Sequence, residues 1–258
     1  MIDGDRYVRT VRVGDRVGWI AAEPISRNLL RVEVAPTLMS VLPELLAKLR
    51  RLFDLDANPG VIDDYLVGHQ KLSAHVTRTV GLRVPGTLSG FELALRAVLG
   101  QQITVKAATT VFGRFVDTFG AQVETPFDGI NKVAPTAADI ANATLEQLIA
   151  RGLTSKRAAT ISILARAVAD KQIVLDPPVD FTAAREALQS LPGIGPWTAE
   201  YIAMRSFGDP DAFPHSDLGL MHALKIDKPA KLLSLAEKWR PWRSYAALHL
   251  WHSLGQGG

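Results

Sequence analysis

Nine consecutive residues, Leu191-Pro192-Gly193-Ile194-Gly195-Pro196-Trp197-Thr198-Ala199, restrict the architecture more than any other stretch of this chain. They separate one helical pattern, Phe181 to Ser190, from another, Trp197 to Ser206. Two glycines one residue apart predict a tight turn, because glycine takes positive φ without penalty and lets foreign atoms approach the backbone. Pro196 suits the first position of the second helix, where a missing N–H costs nothing. The free amides at that helix start, with the positive end of its dipole, make an anion site. In a soluble protein the natural anion for such a corner is a nucleic-acid phosphate. A plain helix–helix corner with no ligand is the competing reading.

Around this corner the chain has ordinary globular proportions. Its 258 residues suit two domains, with 47% hydrophobic and 21% charged residues. It has no cysteine, which excludes disulfides, thiol nucleophiles and cysteine-held zinc or iron–sulfur clusters. The first sixteen residues are charged and alternating, without the apolar core of a signal peptide, and no apolar run nears the roughly 18 residues of a membrane span. The expectation is an intracellular, cytoplasmic protein. A net charge of +3 permits nucleic-acid binding without demanding it. The basic residues gather in two places. Arg151, Lys156, Arg157, Arg166 and Lys171 lie close together against the single acid Asp170, and Lys225 to Arg243 holds six basic residues against two acidic ones. Solvated helix faces account equally well for either patch.

The sequence reads as α+β, in two parts. Val11, Val13, Val17 and Trp19 alternate about the turn Gly14-Asp15, and Leu30, Val32 and Val34 repeat the period of two. Pro43 to Phe53 follows as an amphipathic helix. Then come a short helix over Val61 to Val67, more helical pattern to about Arg78, and a returning strand at Val80 to Val84. This predicts a small N-terminal α+β domain over 1–85, an antiparallel sheet with helices on one face. Leu82 to Gly86 reads as the hinge. From 86 to 258 the pattern is helical nearly throughout, an all-α domain with the glycine turn near its middle. Ser155 is the expected N-cap of its helix, and Gly120 and Gly152 the expected terminators.

Sixteen residues beyond Trp197 begins Phe213-Pro214-His215-Ser216-Asp217-Leu218-Gly219-Leu220, which puts Asp217 twenty residues beyond it. With it, the turn resembles the helix-hairpin-helix superfamily of DNA base-excision glycosylases, most closely the 3-methyladenine DNA glycosylase II branch. The matching stretches are Leu191 to Tyr201, Phe213 to Leu220, Trp239-Arg240-Pro241-Trp242-Arg243-Ser244-Tyr245 through Trp251, and Arg96-Ala97-Val98-Leu99-Gly100-Gln101-Gln102-Ile103. The N-terminal unit resembles the first domain of the same enzymes, so the likeness covers nearly the whole chain. It implies a hairpin over about 182–207 and double-stranded DNA with alkylated bases as partner. It also implies a monomer, nucleoid-associated if bacterial, that needs no cofactor.

On the residues alone, Asp217 before an apolar helical pattern is a helix N-cap. The resemblance makes it the catalytic carboxylate, a role the chemistry favours. Breaking an N-glycosidic bond builds positive charge on the sugar, which a fixed carboxylate stabilises, and the same group can orient the attacking water. Trp197 stands where superfamily members that also cut the backbone carry a Schiff-base lysine, which implies a monofunctional enzyme. Trp197, Tyr201 and Trp251 resemble the aromatic pocket for the extruded base; otherwise they are core aromatics. A cationic alkylated purine suits such faces, with a cation–π gain of about 0.5–2 kcal/mol. Gln102, with Gln101 beside it, matches the side chain that fills the gap left by a flipped base; Gly193, Gly195 and Thr198 match the phosphate-binding turn. The resemblance alone implies a monovalent cation, Na+ or K+, on the main-chain carbonyls of Gln189, Leu191 and Ile194. Asp209 and Asp211 match no catalytic position and read as turn residues. His249 and His252 lack a third metal ligand and read as structural. Two other readings remain open: a glycosylase/lyase for other damaged bases, and a helix-hairpin-helix DNA-binding module without catalysis.

Overall fold

The computed structural model describes residues 2–3, 6–26 and 28–255. Its first part is a four-stranded antiparallel sheet in the order β1 (Ile2–Asp3), β2 (Arg6–Val13), β3 (Arg16–Ser26) and β4 (Leu29–Val34). Val13 pairs with Arg16 across the two-residue loop Gly14-Asp15. Gly14 has φ +55°, the positive value that two-residue hairpins require. Val11, Val13 and Ile20 turn inward and meet Leu38, Leu45, Leu49 and Leu52 from the 3-10 turn Pro36–Val41 and helix α1 (Leu42–Leu52). Period-two and period-3.6 apolar patterns thus close on one small core, as the sequence predicts.

Helices α2 (Pro59–Val67) and α3 (Ser73–Arg78) come next. Their buried residues Ile62, Leu66, Leu72 and Val76 join the larger core of the helical body and leave the sheet's cluster to itself. A division at residue 85 therefore follows chain order, whereas packing attaches Pro59–Arg78 to what comes later. The strand expected at Val80 to Val84 does not form. The amides that a neighbouring strand would have paired find carboxylates instead. Gly81 N–H donates to Asp63 Oδ2 (2.6 Å) and Val84 N–H to Asp54 Oδ2 (3.0 Å). Side-chain acceptors that far back in the chain leave no sequence signal.

The helical body runs α4 (Gly90–Leu99), α5 (Val105–Phe119), α6 (Ala137–Ala141), α7 (Leu145–Ile149), α8 (Ser155–Ala169), α9 (Phe181–Gln189), α10 (Pro196–Ile202), α11 (Leu218–Leu224), α12 (Pro229–Ala236) and α13 (Arg243–Gly255). A two-stranded ribbon, β5 (Ala121–Gln122) with β6 (Lys132–Val133), interrupts it. The start of α8 lies one residue earlier than expected: Thr154, not Ser155, is the N-cap, its hydroxyl accepting from Arg157 N–H. Beyond Ile202, α10 widens into a π-type turn over Ala203–Phe207, closed by Gly208 at φ +72°. Such turns recur at functional sites because they re-aim side chains. No helix among the described residues is long and apolar enough to cross a membrane.

Asp54 ties the first part to α13. Its Oδ2 accepts the Tyr245 hydroxyl (2.8 Å) as well as the Val84 amide, from a backbone at φ +52°. Burial lifts its carboxyl above the ordinary 3.8, the two donors and Arg83 pulling only part of the way back. A carboxyl raised on folding contributes stability below its unfolded pKa and loses it as pH rises through the folded value. Asp54→Asn keeps an acceptor and suits the left-handed backbone. It should therefore gain stability relative to wild type as pH rises from acid to neutral, read by thermal melting at several pH values. A penalty that grows with pH would contradict this account.

Candidate active site

Three elements bring the predicted residues together: α10 carries Trp197 and Tyr201, Asp217 caps the start of α11, and α13 carries Trp251. Asp217 does cap its helix, with Oδ1 accepting Leu220 N–H at 2.9 Å. Capping uses one lone pair. The indole N–H of Trp251 donates to the same oxygen at 2.9 Å, and that of Trp197 to Oδ2 at 2.9 Å. Helix capping requires neither indole. Among the described residues three fixed N–H donors hold this carboxylate, from three helices, and of its roughly four lone-pair positions they leave one open.

The Trp197 and Tyr201 rings lie 5.2 Å apart at 5°, an offset stack formed by residues one helical turn apart. Trp251 meets Tyr201 at an angle, 6.4 Å away. These rings and Asp217 line a cavity of about 510 Å³, within the usual range for a small-molecule site. Leu93, Ala97, Ile103 and Val105 supply apolar wall from α4, the loop after it and the start of α5.

Two arginines on the wall were not anticipated. Arg205 continues the row Trp197, Tyr201 at the same spacing of four. Its Nη1 reaches the Tyr201 hydroxyl (3.4 Å), and its Nε donates to the Pro85 carbonyl. The spacing was legible; the widened turn that carries Arg205 was not. Arg96 stands over the Phe112 ring at 3.6 Å and pairs with Glu92 (3.1 Å), which also holds Arg9 of β2 at 2.6 Å. Through Glu92 the sheet braces one wall of the cavity.

The glycine turn is as tight as expected, but its two glycines differ. Gly193 has φ +87°, and a Cβ there would lie 2.0 Å from Thr160 Oγ1. Gly195 has φ −88° and caps α10, with open space where a Cβ would stand. The fold explains only the first. Gln101 points inward, its Nε2 donating to Gly193 O and to Thr198 Oγ1, each at 3.1 Å, while its own carbonyl accepts from Arg157 (2.5 Å). Thr198 is 2% exposed, so its hydroxyl serves this internal bond. Gln102 is exposed with φ +58°, an uncommon backbone for a side-chain-bearing residue and one that occurs at working loops. At the turn, Leu191 O accepts Ile194 N–H at 3.1 Å, and Gln189 is the last residue of α9.

Asp209 and Asp211 are more than turn residues. Asp209 is 5% exposed and pairs with Arg185; Asp211 pairs with Arg240 and with Arg243 (2.8 Å). Ser244 Oγ lies within hydrogen-bonding reach of the carbonyls of Asp209 (2.7 Å) and Ala212 (2.8 Å), which share its one proton. These bonds fix the first half of the loop that ends at Asp217. The partners lie 24 to 35 residues away in sequence, beyond the reach of local pattern. His249 is buried facing Asp63 at 3.4 Å, and burial pushes its imidazole below the usual range.

Comparison with known proteins agrees with this geometry. The AlkA N-terminal domain family matches residues 1–89, and the HhH-GPD superfamily of base excision DNA repair proteins matches residues 95–238. A probable bifunctional transcriptional activator/DNA repair enzyme AlkA of Mycobacterium tuberculosis is 41% identical over 255 residues, covering 96% of this chain but 50% of that protein. The chain thus spans half the length of that relative. DNA-3-methyladenine glycosylase 2 of Escherichia coli is 36% identical over 250 residues, covering 96% of this chain and 86% of that one. Among solved structures, a 3-methyladenine DNA-glycosylase from Archaeoglobus fulgidus superposes with a TM-score of 0.82 at 25% identity, over 97% of this chain and 87% of its own. The chain belongs to the HhH-GPD superfamily of base excision DNA repair proteins, with an N-terminal domain of the AlkA type.

Proposed function

We propose that the chain is a monofunctional DNA glycosylase that releases alkylated purines of the 3-methyladenine type from duplex DNA. The observation that carries this is the Asp217 carboxylate, fixed by three N–H donors in the wall of an aromatic cavity. A phosphate-binding module without catalysis has no use for such a group.

In this reading a damaged base leaves the duplex and enters the cavity. Trp197 and Tyr201 already touch face to face, so no third ring fits between them. The base stacks on an outer face of the pair, beside Trp251. Alkylation makes a purine cationic and a better leaving group, so bond breaking needs little protonation of the base. Positive charge then grows on the sugar, where the carboxylate stabilises it without reorganising, because its donors hold it in place beforehand. The open lone-pair position of Asp217 serves to orient the incoming water. Trp197 cannot form a Schiff base, so the reaction ends at an abasic site.

Duplex binding falls to the hairpin and to the loop before α5. Gln102 fills the vacated stack, and Gln101 locks that loop onto the hairpin. The empty space at Gly195 lets a phosphate approach the backbone. The main-chain carbonyls of Gln189, Leu191 and Ile194 are neutral oxygens, a donor set that would suit a monovalent cation, whose charge would add to the attraction for a phosphate. The Leu191 oxygen keeps a lone pair beyond its bond to Ile194.

Asp217→Asn should lower single-turnover base release by on the order of 100-fold or more while DNA affinity is retained. Release at the wild-type rate would refute the assignment. Gly195→Val should fold normally yet bind duplex more weakly, with a shallower salt dependence; unchanged binding would remove the hairpin from the interface. Gly193→Ala should instead lower stability by on the order of 1–3 kcal/mol, through strained φ and collision with Thr160. An unchanged melting temperature would show that the turn relaxes.

A further inference from the structure

Between Phe213 and Asp217 the chain forms a short, self-braced arm. His215 N–H donates to Phe213 O at 2.8 Å, and Asp217 N–H to Pro214 O at 2.8 Å. The Phe213 ring is buried edge-on against Trp239, centroids 5.8 Å apart. A displacement at Phe213 therefore passes to Asp217 with little slack. The contacts from Arg243 and Ser244 stop at residues 209 to 212, short of this arm.

One side chain grips the arm at its root. Glu200 Oε2 accepts the Phe213 N–H at 2.9 Å, and Glu200 Oε1 lies 3.6 Å from Arg185 Nε. Arg185 in turn pairs with Asp209, which is 5% exposed. Burial raises the Glu200 carboxyl above its usual range, against the pull of the Phe213 amide and Arg185. Glu200 sits three residues after Trp197 on α10, one helical turn along. The same helix thus holds the arm at both ends, by the Glu200 carboxylate at Phe213 and by the Trp197 indole at Asp217.

We propose that Glu200 is a positioning residue for Asp217, setting the carboxylate's height against Trp197 and Trp251 by anchoring Phe213. The proposal rests on the reading of Asp217 as the bond-breaking group. Two-point attachment to one rigid helix fixes both the distance and the tilt of the arm. Removing the Glu200 point lets the root of the arm shift against the three donors that hold Asp217, and small misplacements of a reacting group are costly.

The test compares Glu200→Ala with Glu200→Gln, because glutamine keeps an acceptor for the Phe213 amide and loses only the charge. Two readouts are used. The first is the ¹H–¹⁵N spectrum of the free protein, in which the indole N–H signals of Trp197 and Trp251 are assigned from Trp197→Phe and Trp251→Phe. The second is base release from an alkylated duplex, with kcat separated from KM. Glu200→Ala should shift both indole signals and lower kcat by on the order of ten- to a hundredfold at unchanged KM. Glu200→Gln should restore both toward wild type. Unmoved indole signals in Glu200→Ala would overturn the proposal, as would a Glu200→Gln variant as defective as Glu200→Ala. If wild type releases no base, the glycosylase reading fails, while the indole signals of the free protein still decide the geometry.

Discussion

The grip of two indoles and one backbone amide on Asp217 is the contact on which the rest of the structure depends. Each donor comes from a different place: α10 brings Trp197, α13 brings Trp251, and α11 brings the Leu220 amide at its first turn. For the three to meet within hydrogen-bonding distance of one carboxylate, those helices must hold a fixed relation. Much of the helical body can be read as the means to that end. The ion pairs of buried Asp209 and half-buried Asp211 pin the connection from α10 to α11, and Ser244 and Arg243 fasten it to α13. Paired charges of this kind are weak evidence for net stability, because desolvation offsets much of their attraction. Their value here is geometric, since a loop so fastened has one conformation.

The N-terminal sheet takes part in the same arrangement at a distance. Glu92 lies between Arg9 of β2 and Arg96 on the cavity wall, so the sheet and the wall share one buried carboxylate. Asp54 adds a second link, to Tyr245 on α13, six residues before Trp251. A unit that offered no chemistry in sequence thus bears on one wall of the cavity, at Arg96, and on the helix that carries Trp251.

Much of this was legible in the residues, and the illegible part has a common cause. Patterns of period two and 3.6 marked the hairpin of β2 and β3, α1 and most later helices, because those signals are local. Asp217, Trp197, Tyr201 and Trp251 were singled out by motif and spacing, and the structure gathers them around one cavity. What escaped was set by distant partners. The strand expected at Val80 to Val84 failed because Asp54 and Asp63 satisfy its amides. Asp209 and Asp211 looked like turn residues because their arginines lie far along the chain. The two glycines of the hairpin looked equivalent, yet only Gly193 has a backbone and a neighbour that demand glycine. The freedom at Gly195 is left for something outside the fold, and in the proposed reading that is a DNA phosphate.

Every role proposed for these residues depends on whether this cavity breaks a glycosidic bond. The most direct test is a single-turnover reaction of the wild-type chain with a duplex holding one 3-methyladenine-type lesion, following free base by chromatography and strand integrity on a denaturing gel. Free alkylated base and an intact strand carrying an abasic site are expected, formed faster than in duplex without protein. No base above the spontaneous rate, or strand cleavage in step with base release, would contradict this expectation.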